Sequence, residues 1–220
     1  GCRAATRVSK PAEHSMKEMS QSWTRVLLVL VAACLSLPFL FQPFHIDDRI
    51  YLEIADRALE DPLFPYDYAP VFEGLVTQDA ASHSHLPLTS YYLAIVKWVT
   101  GSQNEWVFHL AFLVFPLMLV LGFYDLARRY SSFPGAAAFL LIVTPGVLVL
   151  SHTLRTEVPL MAFWTVALSR FLRILDGPVR RRDFWICALS LVAAAFISLL
   201  GAALVLLLGA LLVMKWLEAG

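Results

Sequence analysis

Three small groups of ionisable residues stand beside long apolar runs and could do chemistry. A carboxylate can accept the proton of an attacking hydroxyl or amine, and cationic side chains can stabilise the charge of a phosphate. The candidates are Asp47 with Asp48, His83 with His85, and Arg155 with Glu157. Whether they work together depends on the elements that carry them.

Asp47 and Asp48 also have a structural interpretation. An aspartate next to the start of a helix often caps it, and either residue alone could serve that purpose. Two adjacent carboxylates directly after an apolar run are harder to explain by capping alone. Arg155 and Glu157 could likewise form no more than an ion pair at a helix end.

His83 and His85 stand in a serine-containing loop, where histidines are commonly solvated. A His-x-His pair can also bind a metal ion, but no third ligand stands at a useful spacing. The three cysteines are far apart and form neither a disulfide framework nor a metal motif. We therefore expect no cofactor, and the sequence does not support a divalent metal.

The composition is that of a membrane protein. Of the 220 residues, 59% are apolar, and the mean hydropathy is +0.67. Soluble domains contain about 45–50% apolar residues. Seventeen basic residues balance 17 acidic ones, so the net charge indicates neither nucleic acid nor an acidic partner. We expect a lipid bilayer around the chain and no nucleic-acid partner.

The apolar runs predict an all-α fold, a polytopic membrane helical bundle with about six transmembrane helices. About 20 apolar residues in a helix cross a bilayer core. The predicted spans cover residues 26–44, 106–127, 133–150, 158–174 and 184–199, followed by a break near Gly201 and a return helix ending at Lys215. Residues 1–22 are polar and basic, and we expect a disordered cytoplasmic N-terminus there.

Residues 86–100 decide the orientation of the predicted bundle. Their apolar run is short and contains Lys97, so the segment could cross the membrane or lie along its outer surface. A crossing would leave Arg128 and Arg129 outside. The surface position instead puts these and the later arginine clusters on the cytoplasmic side, where basic residues accumulate. We therefore predict a surface helix, with both termini inside.

This topology gives the chain one membrane domain, residues 23–220, with a long outer loop over residues 45–105. An amphipathic helix over residues 47–60, ended by Pro62, should lie in the membrane interface within that loop. All three ionisable groups then fall on the outer face. We expect an integral protein of the inner or plasma membrane whose active site faces outwards.

Such a cluster beside the lipid surface suits the transfer of a sugar from a lipid-linked phosphate. The leaving group is already an acidic phosphate, so it needs cations and no protonating acid. One carboxylate is then enough to activate the acceptor. Hydrolysis of a glycoside, in contrast, normally needs two carboxyl groups with complementary roles.

Four stretches resemble motifs of the GT-C glycosyltransferases, most closely the group of protein O-mannosyltransferases and lipid A aminoarabinose transferases. Residues 47–55 resemble the Asp-(Glu/Asp)-x-x-Tyr-x-x-Ile-Ala signature of the first outer loop. Residues 85–93 are similar to (His/Lys)-Pro-Pro-Leu-x-Tyr-Tyr, and residues 126–129 to Leu-Ala-Arg-Arg. Residues 151–160 resemble the outer turn Ser-x-x-x-Arg-x-(Asp/Glu)-x-x-Leu.

The resemblance implies an inverting transferase that uses a polyprenyl-phosphate sugar donor on the outer face. Its acceptor would be a lipid, a glycan or a protein. The resemblance also implies that Asp47 is the catalytic carboxylate, with Asp48 beside it at the donor or acceptor. The substrate-binding candidates are His85 at the phosphate, Arg155 and Glu157 in the same cavity, and His83.

The chain departs from the family pattern at three points. Leu199-Leu200-Gly201 stands where the family often has Thr-Lys-Gly, so the lysine that reaches the donor phosphate is missing there. The stretch that begins at His85 also lacks the first of the two prolines. Family members are much longer, so we expect an incomplete N-terminal part, which could be inactive by itself.

A second interpretation stays open at this stage. The chain could be a non-catalytic module that binds a polyprenyl lipid, or part of a transporter. Transporters tend to place ionisable residues in the middle of spans. Here Glu105 and Asp125 stand near the ends of an apolar run, which favours the enzyme.

Overall fold

Most of the described chain is helical. The structure is a computed structural model, which describes residues 10–67, 71–72, 75–76 and 85–219. Its helices are α1 (Lys10–Ser36), α2 (Ile46–Glu60), α3 (Leu88–Thr100), α4 (Glu105–Phe112), α5 (Val114–Tyr130), α6 (Pro134–Val143), α7 (Pro145–Leu150), α8 (Glu157–Asp176), α9 (Arg181–Ile197) and α10 (Leu199–Ala219). A short 3₁₀ helix (Leu37–Phe39) follows α1, and two short strands, β1 (Val71–Phe72) and β2 (Leu75–Val76), pair antiparallel.

The architecture is an all-α membrane helical bundle, which confirms the predicted fold class. Three helical segments are long and apolar enough to cross a membrane: Met19–Phe39, Glu105–Tyr130 and Glu157–Asp176. Two further apolar helices, Pro134–Val143 and Leu199–Lys215, are shorter. The figure of about six spans stays a prediction.

Two helix boundaries differ from the predicted ones. The first helix begins at Lys10, so the backbone from this residue onwards is helical where we expected a disordered N-terminus. Glutamate, lysine and methionine each occur twice over residues 10–22, and all three favour helix. The predicted span over residues 133–150 consists of α6 and α7, because Pro145 lacks the N–H that a continuous helix needs.

The break between α9 and α10 lies at Ser198, a few residues before the predicted break near Gly201. The Ser198 backbone is extended and forms an isolated β-bridge with His85. The N–H of Leu86 donates to the carbonyl oxygen of Ile197 at 3.0 Å. Gly201 instead lets α10 approach α9, since a Cβ there would lie 1.8 Å from the carbonyl oxygen of Ala194.

Two sets of contacts are prominent among those that hold the bundle together. Gly122 of α5 faces α8 so closely that a Cβ there would lie 2.6 Å from Thr165 Oγ1. An apolar cluster also holds α2 and α3 against α4 and α5, with Leu93, Phe108 and Phe112 buried almost completely. The second set fixes the start of α2 at one end of the bundle.

The two ends of the bundle are far apart. The ring of Phe44, just before α2, lies 5.9 Å from the ring of Phe108 near the start of the α4–α5 segment. Asp125 stands roughly 25 Å further along this segment, at a rise of about 1.5 Å per residue. We call these the Asp47 end and the Asp125 end.

Helix α3 lies along α2 at the Asp47 end. It has 13 residues, fewer than the roughly 20 that cross a bilayer core. Lys97 of α3 pairs with Asp56 of α2, and the hydroxyl of Tyr91 donates to the carbonyl oxygen of Pro62. The surface position of α3 in the loop over residues 45–105 stays a prediction.

Candidate active site

A capping box fixes the start of α2. The backbone N–H of His45 donates to Asp48 Oδ2 at 2.9 Å, and the N–H of Asp47 donates to His45 Nδ1 at 3.3 Å. Aspartate in the first turn also favours a helix start, because its charge opposes the positive end of the helix dipole. The carboxylate of Asp47 takes no part in the box and stays available for other contacts.

Asp48 ties this helix start to a loop far along the chain. Its Oδ1 accepts a hydrogen bond of 2.8 Å from the N–H of Leu154, and the residue is 0% exposed. Burial raises the pKa of Asp48, and the hydrogen bonds from the N–H groups of His45 and Leu154 oppose that rise. Asp48 therefore links the start of α2 to the loop at Leu154, and its side chain does not reach solvent.

Arg155 bridges two carboxylates in front of that loop. Its Nη1 donates to Asp47 Oδ2 at 2.7 Å, and its Nη2 donates to Glu157 Oε1 at 2.6 Å. The three side chains are each about one-third exposed. The structure therefore brings Asp47, Arg155 and Glu157 into one solvent-accessible cluster, although Asp47 and Arg155 are 108 positions apart.

His85 joins the same cluster. Its Nδ1 lies 3.1 Å from Thr156 Oγ1, and its carbonyl oxygen accepts a hydrogen bond of 2.6 Å from the hydroxyl of Tyr66. The ring of Tyr51 lies 6.0 Å from the imidazole. Burial raises the pKa of Tyr51 to about 12, so the phenol keeps its proton at neutral pH.

A cavity of about 280 Å³ opens between these side chains, close to the lower size of small-molecule sites in proteins. Asp47, His85 and Arg155 line it together with Tyr51 and Tyr66. Much of the remaining lining is apolar and includes Ile50, Ile54 and Leu86. The cavity can therefore accept a ligand that has both charged and apolar parts.

The other predicted site residues do not line this cavity. Glu157 acts on it only through Arg155, and Asp48 lies buried behind it. His83 lies outside the described residues. Within the part of the chain that the structure describes, no three His, Cys, Asp or Glu side chains come together in a way that could hold a metal ion. The expectation of no cofactor stays a prediction.

Sequence reasoning missed Tyr51, Thr156 and Tyr66 as parts of the site. Tyr51 belongs to the motif over residues 47–55, which was a usable signal. Thr156 follows Arg155 in the same polar turn. Tyr66 stands in a loop between proline-containing turns, and nothing around it in the sequence marks it as a site residue.

One comparison with known proteins identifies the family. A family model described as dolichyl-phosphate-mannose-protein mannosyltransferase matches residues 82–219, more than half of the chain. The chain belongs to this mannosyltransferase family. It is a membrane glycosyltransferase of the GT-C type, which confirms the resemblance seen in the sequence. Searches among curated proteins and among solved structures found no match.

The range matched by the mannosyltransferase family contributes only part of the cavity. His85, Arg155 and Glu157 fall inside the range, whereas Asp47 and the rest of α2 precede it. The ion pair between Arg155 and Asp47 joins the two parts. Of the nine residues that line the cavity, five precede the matched range and four fall within it.

Proposed function

We propose that the chain transfers a sugar from a polyprenyl-phosphate donor to an acceptor at the Asp47 end, with inversion at the anomeric carbon. One observation carries the proposal: Arg155 holds Asp47 at 2.7 Å on the wall of a cavity that His85 also lines. A carboxylate base and two groups that can receive a phosphate thus share one small space. The family's description names dolichyl-phosphate-mannose, which makes mannose the first candidate sugar.

Asp47 is the base in this reaction. Arg155 occupies its Oδ2, and no donor from the described residues reaches Oδ1, so this oxygen can accept the proton of an acceptor hydroxyl or amine. The acceptor attacks the anomeric carbon while the bond from that carbon to the phosphate oxygen breaks. The phosphate leaves with the electron pair, and this single displacement inverts the configuration.

Arg155 stabilises the leaving phosphate. A guanidinium group carries five N–H donors, and the bonds to Asp47 and Glu157 leave one N–H on each terminal nitrogen unused. Glu157 holds the guanidinium in place, so little reorganisation is needed when the phosphate arrives. His85 and the neutral phenol of Tyr51 provide further polar contacts on the same wall.

The reaction takes place on the outer face of the inner or plasma membrane. The arginine-rich Asp125 end then faces the cytoplasm, in keeping with the usual distribution of basic residues in membrane proteins. The prenyl chain of the donor stays in the bilayer beside the cavity. The acceptor is a lipid, a glycan or a protein.

Replacing Asp47 by Asn tests the catalytic role. Asn keeps the size of the side chain and a partner for Arg155, but it cannot take a proton. Transfer should therefore fall at least about 100-fold. The assay follows radiolabelled sugar from a panel of polyprenyl-phosphate sugars, beginning with dolichyl-phosphate-mannose, in membranes that contain the natural full-length protein.

The matched control is Asp67→Asn, an exposed carboxylate outside the cavity lining, which should leave transfer unchanged. Full turnover in the Asp47→Asn protein would show that Asp47 is not the base. If neither protein transfers any sugar and both still bind a polyprenyl phosphate, a non-catalytic lipid-binding module becomes the better interpretation.

A further inference from the structure

A second cavity, of about 460 Å³, lies at the Asp125 end between α1, α5, α8 and α9. We call it the basic cavity. Five arginines and two aspartates line it, which leaves a formal charge of +3; they are Arg25, Arg170, Arg173, Arg180, Arg182, Asp125 and Asp183. The proposed sugar transfer uses none of these residues.

Asp125 organises the basic cavity. Its Oδ1 accepts a hydrogen bond of 2.7 Å from Arg25 Nη2, and its Oδ2 accepts one of 3.0 Å from Arg173 Nη2. Arg170 Nη2 lies 4.0 Å from the same carboxylate, while Arg170 Nη1 donates to Asp183 at 2.9 Å. Two aspartates thus hold three mutually repelling arginines side by side.

These aspartates do not satisfy every donor in the basic cavity. Arg170 Nε is buried and has no hydrogen-bond partner among the described residues. Arg180 and Arg182 are exposed at the start of α9, and in the described ranges no carboxylate pairs with either. A buried N–H without an acceptor is unfavourable. An anion with several oxygens would provide the missing acceptors.

The residues that line the basic cavity indicate which kind of anion it can bind. Every cation in the basic cavity is an arginine, and the planar guanidinium group matches two oxygens of a phosphate. Apolar side chains of α5 and α8, including Met118, Leu121 and Val166, complete the lining. Basic pockets between transmembrane helices bind the head groups of anionic phospholipids.

We propose that the basic cavity binds a phosphate group, with Arg170, Arg180 and Arg182 as its donors. The phosphate belongs to the head group of an anionic phospholipid or to a soluble phosphate compound. Its binding links α8 to the start of α9. The site is separate from the Asp47 cavity and does not depend on the proposed transferase activity.

The test uses the full chain in phosphatidylcholine nanodiscs with a minor fraction of phosphatidylglycerol or cardiolipin. Native mass spectrometry measures how much anionic lipid stays bound, and the midpoint of thermal unfolding is recorded with and without that lipid. A parallel arm adds pyrophosphate to the chain in pure phosphatidylcholine nanodiscs. Binding in either arm should weaken as the salt concentration rises.

The double variant Arg180→Gln/Arg182→Gln should weaken phosphate binding roughly tenfold, since each arginine near an anionic surface contributes to the attraction. The fold should survive, because both side chains are exposed. Arg181→Gln is the matched control: it is also exposed but does not line the basic cavity. It should weaken binding much less than the double variant, because it keeps both cavity arginines.

The two arms identify the source of the phosphate. Binding of the anionic lipid without a response to pyrophosphate indicates a phospholipid head group, and the reverse indicates a soluble phosphate compound. The proposal is overturned if neither ligand binds. It is also overturned if Arg181→Gln weakens binding as much as the double variant, because the attraction would then be non-specific.

Discussion

Asp47 and Asp48 are neighbours in the sequence but have opposite environments. Asp48 is 0% exposed and accepts backbone hydrogen bonds on both oxygens, whereas the Asp47 side chain is about one-third exposed and lines the cavity. We expected a catalytic role for both. The geometry supports Asp47 as the proposed base and gives Asp48 a positioning role.

Replacing Asp48 by Ala should destabilise the chain by about 2–4 kcal/mol, because the buried N–H of Leu154 and the part-buried N–H of His45 would lose their acceptor. The midpoint of thermal unfolding in detergent micelles measures this effect. The unfolding midpoint of Asp48→Asn should lie between those of Asp48→Ala and the wild type, since the single amide oxygen restores one of the two hydrogen bonds. Asp47→Asn should shift the midpoint much less, and equal losses at both positions would contradict the division of roles.

Tyr51 should make stability depend on alkaline pH. Burial raises its pKa from 10.0 to about 12 in the folded chain. The stability due to the buried neutral phenol is therefore complete below pH 10. It is lost as the pH rises towards 12, by roughly 3 kcal/mol in total.

Thermal unfolding of the wild type and Tyr51→Phe across this pH range checks the prediction. Phenylalanine cannot ionise, so the variant should lose less stability than the wild type between pH 10 and pH 12. The two proteins already differ in stability at neutral pH, because the variant lacks the hydroxyl. The comparison therefore uses only the change in stability with pH. Parallel declines would show that the pKa of Tyr51 is the same in the folded and the unfolded chain.

The candidate residues of the site could be named from the sequence, but their partners could not. The candidate residues stand out because they are polar groups next to apolar runs, and a single choice of topology puts Asp47, His85 and Arg155 on one face. The bonds that assemble the site join distant positions: Asp48 to Leu154, and Arg155 to Asp47. Local sequence contains no information about such pairs.

At the level of the elements, α5 and α8 approach each other at Gly122. Replacing Gly122 by Ala puts a Cβ 2.6 Å from Thr165 Oγ1 and 3.1 Å from the backbone nitrogen of Val166, so the helices must separate. We expect a loss of about 1–3 kcal/mol, measured as a lower midpoint of thermal unfolding. Adding Thr165→Ala should restore part of this loss.

Gly209→Ala is the control for Gly122→Ala. No atom lies within 4 Å of a Cβ at Gly209 in α10, and alanine favours helix over glycine. Gly209→Ala should therefore leave the unfolding temperature unchanged or raise it. If both variants unfold at the same temperature as the wild type, α5 and α8 do not approach as closely as the structure shows.

The sequence predicts most helices correctly but not the joints between them. Apolar runs with basic ends locate the α4–α5 segment and α8 within a few residues. The break at Ser198 could not be predicted in this way, because its extended backbone pairs with His85 from a loop that is distant in the sequence. The helix break before α7, in contrast, has a local cause, which is Pro145. The long apolar run around this proline favoured a single continuous span, so the break was not predicted.

At the scale of the whole molecule, the charged groups divide between two ends. The Asp47 end carries carboxylates around one shared arginine, and the Asp125 end carries arginines around shared aspartates. The orientation of the chain in the membrane therefore decides which compartment each cavity faces.

Labelling of single cysteines should place the Asp47 end outside. After the native cysteines are replaced by Ser, Glu60→Cys and Gln103→Cys should react with a membrane-impermeant maleimide on intact cells. Ser132→Cys, at the Asp125 end, should react only after permeabilisation. All three positions are exposed.

Glu60 and Gln103 flank α3, so the same experiment tests whether this helix crosses the membrane. Reaction at both positions on intact cells would agree with a surface helix. Reaction at only one of them would make α3 a transmembrane span, and the proposed orientation of everything after it would be reversed.

The hydrogen bond from Leu154 to Asp48 has a consequence for the synthesis of the chain. A ribosome completes α1 and α2 well before it reaches Leu154, 106 residues after Asp48. Until then this carboxylate has no partner from the later loop and must stay hydrated at the bilayer surface. In the nascent protein the carboxylate of Asp48 is therefore exposed to water. It becomes buried only when the segment before α8 has been synthesised and packs against it.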